Sequence, residues 1–133
     1  MKELLVDAVI DNLDMVMDFV NAELEAYECD MKVRTQISIA MEEIFVNIAN
    51  YAYKPFVGGV TIRVTVGSEI IIEFEDKGVA YNPIEKMDPD IHKSAEEREI
   101  GGLGIFMVKK IMDSIEYRHV DNKNILIIKK GMI

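Results

Sequence analysis

The chain has 133 residues, 50% of them hydrophobic and 29% charged, with a formal net charge of −9 at pH 7. That length fits one domain with a sizeable core, and no apolar run approaches the roughly 20 residues that span a bilayer. The acidic balance argues against a nucleic-acid partner, whose capture rests on clustered Lys and Arg displacing counterions, although a small anionic ligand needs only a local positive site.

Residues 2–10, KELLVDAVI, predict a first strand rich in Val, Leu and Ile. Asp7, Asp11 and Asp14 interrupt this apolar N-terminal patch, which argues against a signal peptide. Asn12 is placed to cap a helix that runs to about Tyr27, with Leu13, Val16, Met17, Val20 and Leu24 at helical spacing. Cys29 is the only cysteine, so no intramolecular disulfide forms and a reducing cytoplasm is the expected setting. Asp30 opens a second helix with a buried stripe of Val33, Ile37, Ala40, Ile44, Ile48 and Tyr51, and Lys54-Pro55 ends it.

Gly58-Gly59 marks a turn, VTIRVTV (60–66) alternates as a half-buried strand does, and Gly67-Ser68 leads into a partner strand, EIIIEFED. Residues 77–100 hold few apolar side chains and many charges, and Ser94-Ala-Glu-Glu97 has capping-box form. Such a long loop inside one domain is often functional. Gly101–Gly104 opens a third helix with Ile105, Val108, Met112 and Ile115 on one side. Strands near 115–120 and 124–129 follow, joined at Asp121-Asn-Lys. Met15, Met17, Met41, Met107 and Met112 are read as core filler. The expected fold is α+β: a two-layer sandwich of a mixed, mostly antiparallel sheet with helices on one face.

Three stretches carry chemistry. Glu43 and Asn47 are four apart and share a helix face, with Asn50 near the same stripe and Glu42 one step further round. A carboxylate beside a carboxamide suits a hydrated Mg²⁺ shared with phosphates, and it also describes an ordinary surface pair. In EIIIEFED, Ile70, Ile72, Phe74 and Asp76 share one face, so Asp76 turns inward with the core residues. A buried carboxylate needs hydrogen-bond donors. A purine amine is one, and backbone N–H groups in an Asx turn are another. Gly78 after it permits close approach of a ring. Gly101-Gly-Leu103-Gly104 opens a helix whose exposed N–H groups and dipole favour phosphate, or it simply turns the chain. Gly102 and Gly104 match neither a Walker A loop nor a Rossmann fingerprint. Arg98 is within reach of a phosphate there. His92 and His119 have no metal-ligand companions in sequence, and no metal site made by protein alone is assigned.

The order E-x-x-x-N on a helix, D-x-G after a strand and G-G-L-G opening a helix resembles the Bergerat-fold ATPases, a group that includes gyrase B and the histidine kinases. MEEIFVNIANYAY and GGLGIFMVKKIMD look most like the anti-sigma factor serine kinases, over essentially the whole chain. The resemblance implies ATP and Mg²⁺, with Asn47 holding the metal, Glu43 as general base, and Asp76 and Gly78 at the adenine. Asn50, Arg98, Gly101, Gly102, Leu103 and Gly104 complete the nucleotide set, and residues 82–100 form a lid. It implies a kinase that phosphorylates a serine of a STAS-type anti-anti-sigma protein, binds a sigma factor, and forms homodimers. Ala80 replaces the second glycine of the D-x-G-x-G form, Tyr51 stands where His is frequent, and NILIIKK (124–130) shows no counterpart of the threonine that often assists the aspartate. The alternative is an ATP-dependent module that sequesters a regulator without phosphorylating it. Glu69, Glu73, Glu75 and Arg63 mark a sheet face for interaction or for solvent.

Overall fold

Alternation of apolar and polar residues decides which side of each strand is covered. The computed structural model describes residues 1–53, 56–86 and 102–132. Strands β1 (Lys2–Asp7), β2 (Gly59–Val66), β3 (Glu69–Asp76), β4 (Ser114–Val120) and β5 (Lys123–Gly131) form one sheet in the order β1-β2-β3-β5-β4. All four pairings are antiparallel, so the expected two-layer α+β sandwich holds without the parallel pair that a mixed sheet would contain. Val60, Ile62 and Val64 of β2 and Ile70, Ile72 and Phe74 of β3 are buried on the covered face. The expected Gly67-Ser68 turn joins these two strands. The β4–β5 turn falls on Asp121 and Asn122, both at positive φ, as a two-residue hairpin loop of this twist requires.

Helices α1 (Leu13–Ala26), α2 (Met31–Tyr51) and α3 (Gly102–Ile111) form the second layer, with α2 touching both of the others. Val16, Val20 and Leu24 of α1 are buried, as are Val33, Ile37, Ala40, Ile44 and Ile48 of α2. Asp30 caps α2 through a 2.8 Å bond from the Lys32 N–H. β5 is an interior strand, between β3 and β4. Leu126 and Ile128 are buried on the helix side, while Ile127 on the other face is also buried, opposite Glu73 and Glu116.

Several expectations are corrected. The first strand ends at Asp7 instead of residue 10, and the chain turns there into a short 3-10 segment at Ile10–Asn12. Asn12 precedes α1 but its amide donates to the Asp7 carbonyl, so it makes no cap. Met15 and Met107 are exposed because they lie off the stripes defined by Val16/Val20 and Ile105/Val108, whereas Met41 and Met112 are core. Tyr51 is 42% exposed, because the buried stripe of α2 reaches the rim of the layer there. Ile115 belongs to β4, since α3 ends at Ile111. Lys54-Pro55, His92, Ser94–Glu97, Arg98, Gly101 and most of the expected lid lie outside the described residues.

On the open face, the Arg63 guanidinium bonds Glu3 of β1 at 2.7 Å and Glu73 and Glu75 of β3 at 2.6 and 3.2 Å. Of the charged residues singled out there, Arg63, Glu73 and Glu75 are thus paired with one another, and Glu3 extends the pairing across three strands.

Candidate functional site

Residues i, i+3, i+4 and i+7 of a helix share one face. On α2 those are Ile44, Asn47, Ile48 and Tyr51, and they form one wall of a pocket. Asp76 at the end of β3, Asn124 and Leu126 of β5 and Tyr117 of β4 form the opposite wall, and Val79, Tyr81 and Pro83 border it. Tyr51 and Tyr81 stack with ring centroids 6.3 Å apart. The pocket is apolar and aromatic over most of its surface, with carboxylate and carboxamide groups at one end, the pattern of a small-molecule site for a flat heteroaromatic ring.

Asp76 is buried, as its phase with Phe74 predicts. Its Oδ1 accepts from the Gly78 N–H at 2.8 Å and from the Asn124 side-chain amide at 3.0 Å. Burial pushes the carboxyl above the usual carboxylate range. The bonds from Asn124 and Gly78 draw it back, the neighbouring Glu75 charge raises it, and His119 lowers it. The Asn124 amide also donates to the carbonyls of Val79 at 2.9 Å and Gly78 at 3.4 Å, while its oxygen accepts from the Tyr117 hydroxyl and the Tyr81 N–H.

The loop after β3 is tied to the end of α2. Val79 N–H donates to the Ala52 carbonyl at 2.9 Å, and a Cβ at Gly78 would collide with that same carbonyl. Gly78 is therefore required by the close pass of loop and helix. The Tyr53 hydroxyl donates to the Gly59 carbonyl at 2.6 Å and accepts from the Lys77 N–H at 2.7 Å, and burial raises its pKa. It fastens the helix end to both strands.

Glu43 lies one turn before Asn47 and is half-buried, whereas Glu42 is exposed. Its carboxylate rests against Gly104, where a Cβ would overlap it. The opening of α3, with Gly102, Leu103 and Gly104 in its first turn, is thus brought to the acid of α2. Asn47 is buried on the pocket wall. Asn50 is not brought there. It lines a separate hollow with Ala8, Ile10 and Phe56, because it lies on the flank of the stripe formed by Ile44, Asn47, Ile48 and Tyr51, toward the segment that follows β1.

Sequence reasoning missed Asn124, Tyr81 and Tyr117. A signal for Asn124 was present: it is in phase with Leu126 and Ile128, as Asp76 is with Phe74. Among the described residues no three His, Cys, Asp or Glu side chains gather as a metal site. The hard oxygens of Asn47 and Glu43 on one helix face fit a Mg²⁺ whose remaining ligands come from water and phosphate. No described helix is long and apolar enough to cross a membrane.

Residues 6–130 match the histidine kinase-like ATPase domain family. The serine-protein kinase RsbW of Bacillus mycoides is 33% identical over 98 residues, which span 70% of this chain and 61% of that protein. The serine/threonine-protein kinase BtrW of Bordetella bronchiseptica is 25% identical over 96 residues, 70% of this chain and 67% of that protein. The nucleotide-free catalytic domain of the histidine kinase ThkA superposes with a TM-score of 0.56 at 14% identity, covering 99% of this chain and 98% of that one, which is a likeness of fold.

Proposed function

The chain belongs to the histidine kinase-like ATPase domain family, and from that premise we propose that it binds Mg-ATP and transfers the γ-phosphoryl group to a serine or threonine hydroxyl of a protein partner. The observation that carries this reading is the junction of two half-sites on α2: Asn47 faces the pocket that ends in Asp76, and Glu43 rests on Gly104 in the first turn of α3. The similarity to kinases named for serine and threonine supports the choice of acceptor.

Each residue has a separable task. Asp76 accepts the exocyclic amine of the base, and the tyrosine-lined wall shields the ring from water. Gly102 and Gly104 let phosphate approach the backbone N–H groups of the α3 N-terminus. Asn47 would hold Mg²⁺, which when bound neutralises charge on the phosphates. Glu43 takes the proton of the attacking hydroxyl. The bond between that oxygen and the γ-phosphorus forms as the bond to the β,γ-bridging oxygen breaks, and ADP leaves with the electron pair. Gly101 and Arg98 complete the phosphate side in this reading. The acceptor is a STAS-type anti-anti-sigma protein, a sigma factor is the second partner, and the working form is a cytoplasmic homodimer.

Incubation with γ-labelled ATP and a cognate STAS protein tests the reaction. Label is expected on the partner, with Glu43→Gln slowing transfer by about 10² to 10⁴-fold. Partner capture that needs ATP but is unlabelled and unchanged in Glu43→Gln would show a binding module in place of a kinase.

A further inference from the structure

Asn124 makes five hydrogen bonds beside the pocket, with Asp76 and with groups of Gly78, Val79, Tyr81 and Tyr117. Its nitrogen meets three oxygens: Asp76 Oδ1, the Val79 carbonyl and the Gly78 carbonyl. Its oxygen meets two donors, the Tyr117 hydroxyl and the Tyr81 N–H. A carboxamide has two donors on nitrogen and accepts only on oxygen, so this surround admits one orientation of the amide. The reversed orientation would set oxygen against three oxygens and nitrogen against a backbone donor. The backbone carbonyls and the Tyr81 N–H thus fix the amide's orientation, the Tyr117 hydroxyl adds a bond to its oxygen, and Asn124 in turn presents an N–H to Asp76. Both described hydrogen bonds to the carboxylate fall on Oδ1, from Asn124 and from Gly78.

We propose that Asn124, held by Tyr117, is a positioning residue that sets base selectivity: it holds Asp76 as an acceptor, so the pocket takes a purine bearing a 6-amino group over one bearing a 6-oxo group. This rests on the nucleotide reading of the site. An ionised carboxylate accepts from a 6-amino group and opposes a 6-oxo oxygen, whereas a protonated one donates to the oxo oxygen. Donors on the carboxylate favour its charged form, and burial favours its neutral form. The titratable and charged groups facing Asp76 are Glu75 and Lys77 along the chain, His119 and Tyr117 of β4, Lys123 beside Asn124, and Tyr53 beyond α2. Of these, Glu75 opposes the charge and His119 supports it. Removing the Asn124 donor leaves burial and Glu75 weakly opposed, so Asp76 takes up a proton at higher pH.

The test is calorimetric titration of the whole chain with Mg-ATP and with Mg-inosine triphosphate, which differ at the purine 6-position, between about pH 5.5 and 8. The wild type is expected to favour ATP by about tenfold or more at the upper end. In Asn124→Leu that ratio falls toward unity, and the pH at which preference is lost moves upward. Tyr117→Phe, which removes only the hydroxyl, moves both in the same direction by less, and it carries the test if the leucine variant does not fold. Wild-type ratio and wild-type pH profile in either folded variant would overturn the role of Asn124 alone. A wild type that binds neither nucleotide would overturn the nucleotide reading, and with it this proposal.

Discussion

Asp76 shows at the residue scale how stability and recognition oppose each other. Burial holds its native-state pKa above that of the unfolded chain. The native state therefore binds more protons than the unfolded one through that window, so stability is greatest below the ordinary carboxylate range and declines as pH rises through the raised value. Asp76→Asn should thus be at least as stable as wild type at neutral pH, lose that advantage in acid, and show no thermal shift with Mg-ATP. Chemical denaturation at several pH values checks the first part and a nucleotide titration the second. The glycines separate in a different way. Gly78→Ala drives a Cβ into the backbone carbonyl of Ala52, which cannot swing away, and should cost about 1–3 kcal/mol in urea unfolding. Gly104→Ala meets the end of the Glu43 side chain, which can move. Its stability should change by less than about 1 kcal/mol, while phosphoryl transfer drops because Glu43 is displaced. Asp76 was legible because its phase with Ile70, Ile72 and Phe74 turned it inward. Asn124 shared its phase with Leu126 and Ile128, but only the pairing of Asp76 with Asn124 across β3 and β5 gives the amide a partner.

At the scale of elements, the capping of α2 was readable and the end of β1 was not. An Asp before an amphipathic run has a local job, and Asp30 performs it by accepting the Lys32 N–H. Asp30→Ala should destabilise the protein by about 1 kcal/mol in urea unfolding, without altering nucleotide affinity, since the cap lies at the far end of α2 from Asn47. The first strand looked three residues too long because Ala8, Val9 and Ile10 are apolar, but sheet pairing stops at Asp7 opposite Gly59. Met15, Met107 and Tyr51 were likewise assigned to the core by residue type and spacing. Which edge of a helical stripe is covered depends on what stands over it, and for Tyr51 that is the ring of Tyr81, not the sheet.

At the scale of the whole molecule, one helix carries both halves of the candidate site. α2 contacts α3 and reaches the sheet at β5, so Glu43 is set against the opening of α3 while Asn47 faces the ends of β3 and β5. A ligand spanning these parts binds only the folded state. Mg-ATP at about 100 times its dissociation constant should therefore add roughly 2.7 kcal/mol of stability, seen as a rise in Tm. The sequence alone determined the α+β class, the inward phase of Asp76, the helical pairing of Glu43 with Asn47 and the glycine-rich start of α3, because each follows from periodicity or backbone freedom within a few residues. Only the tertiary structure decided that Asn50 turns away, that Gly78 is required by the Ala52 carbonyl, and that Tyr117 and Asn124 close the pocket around Asp76. Those outcomes depend on strand register and helix docking between residues dozens of positions apart, which no local pattern encodes.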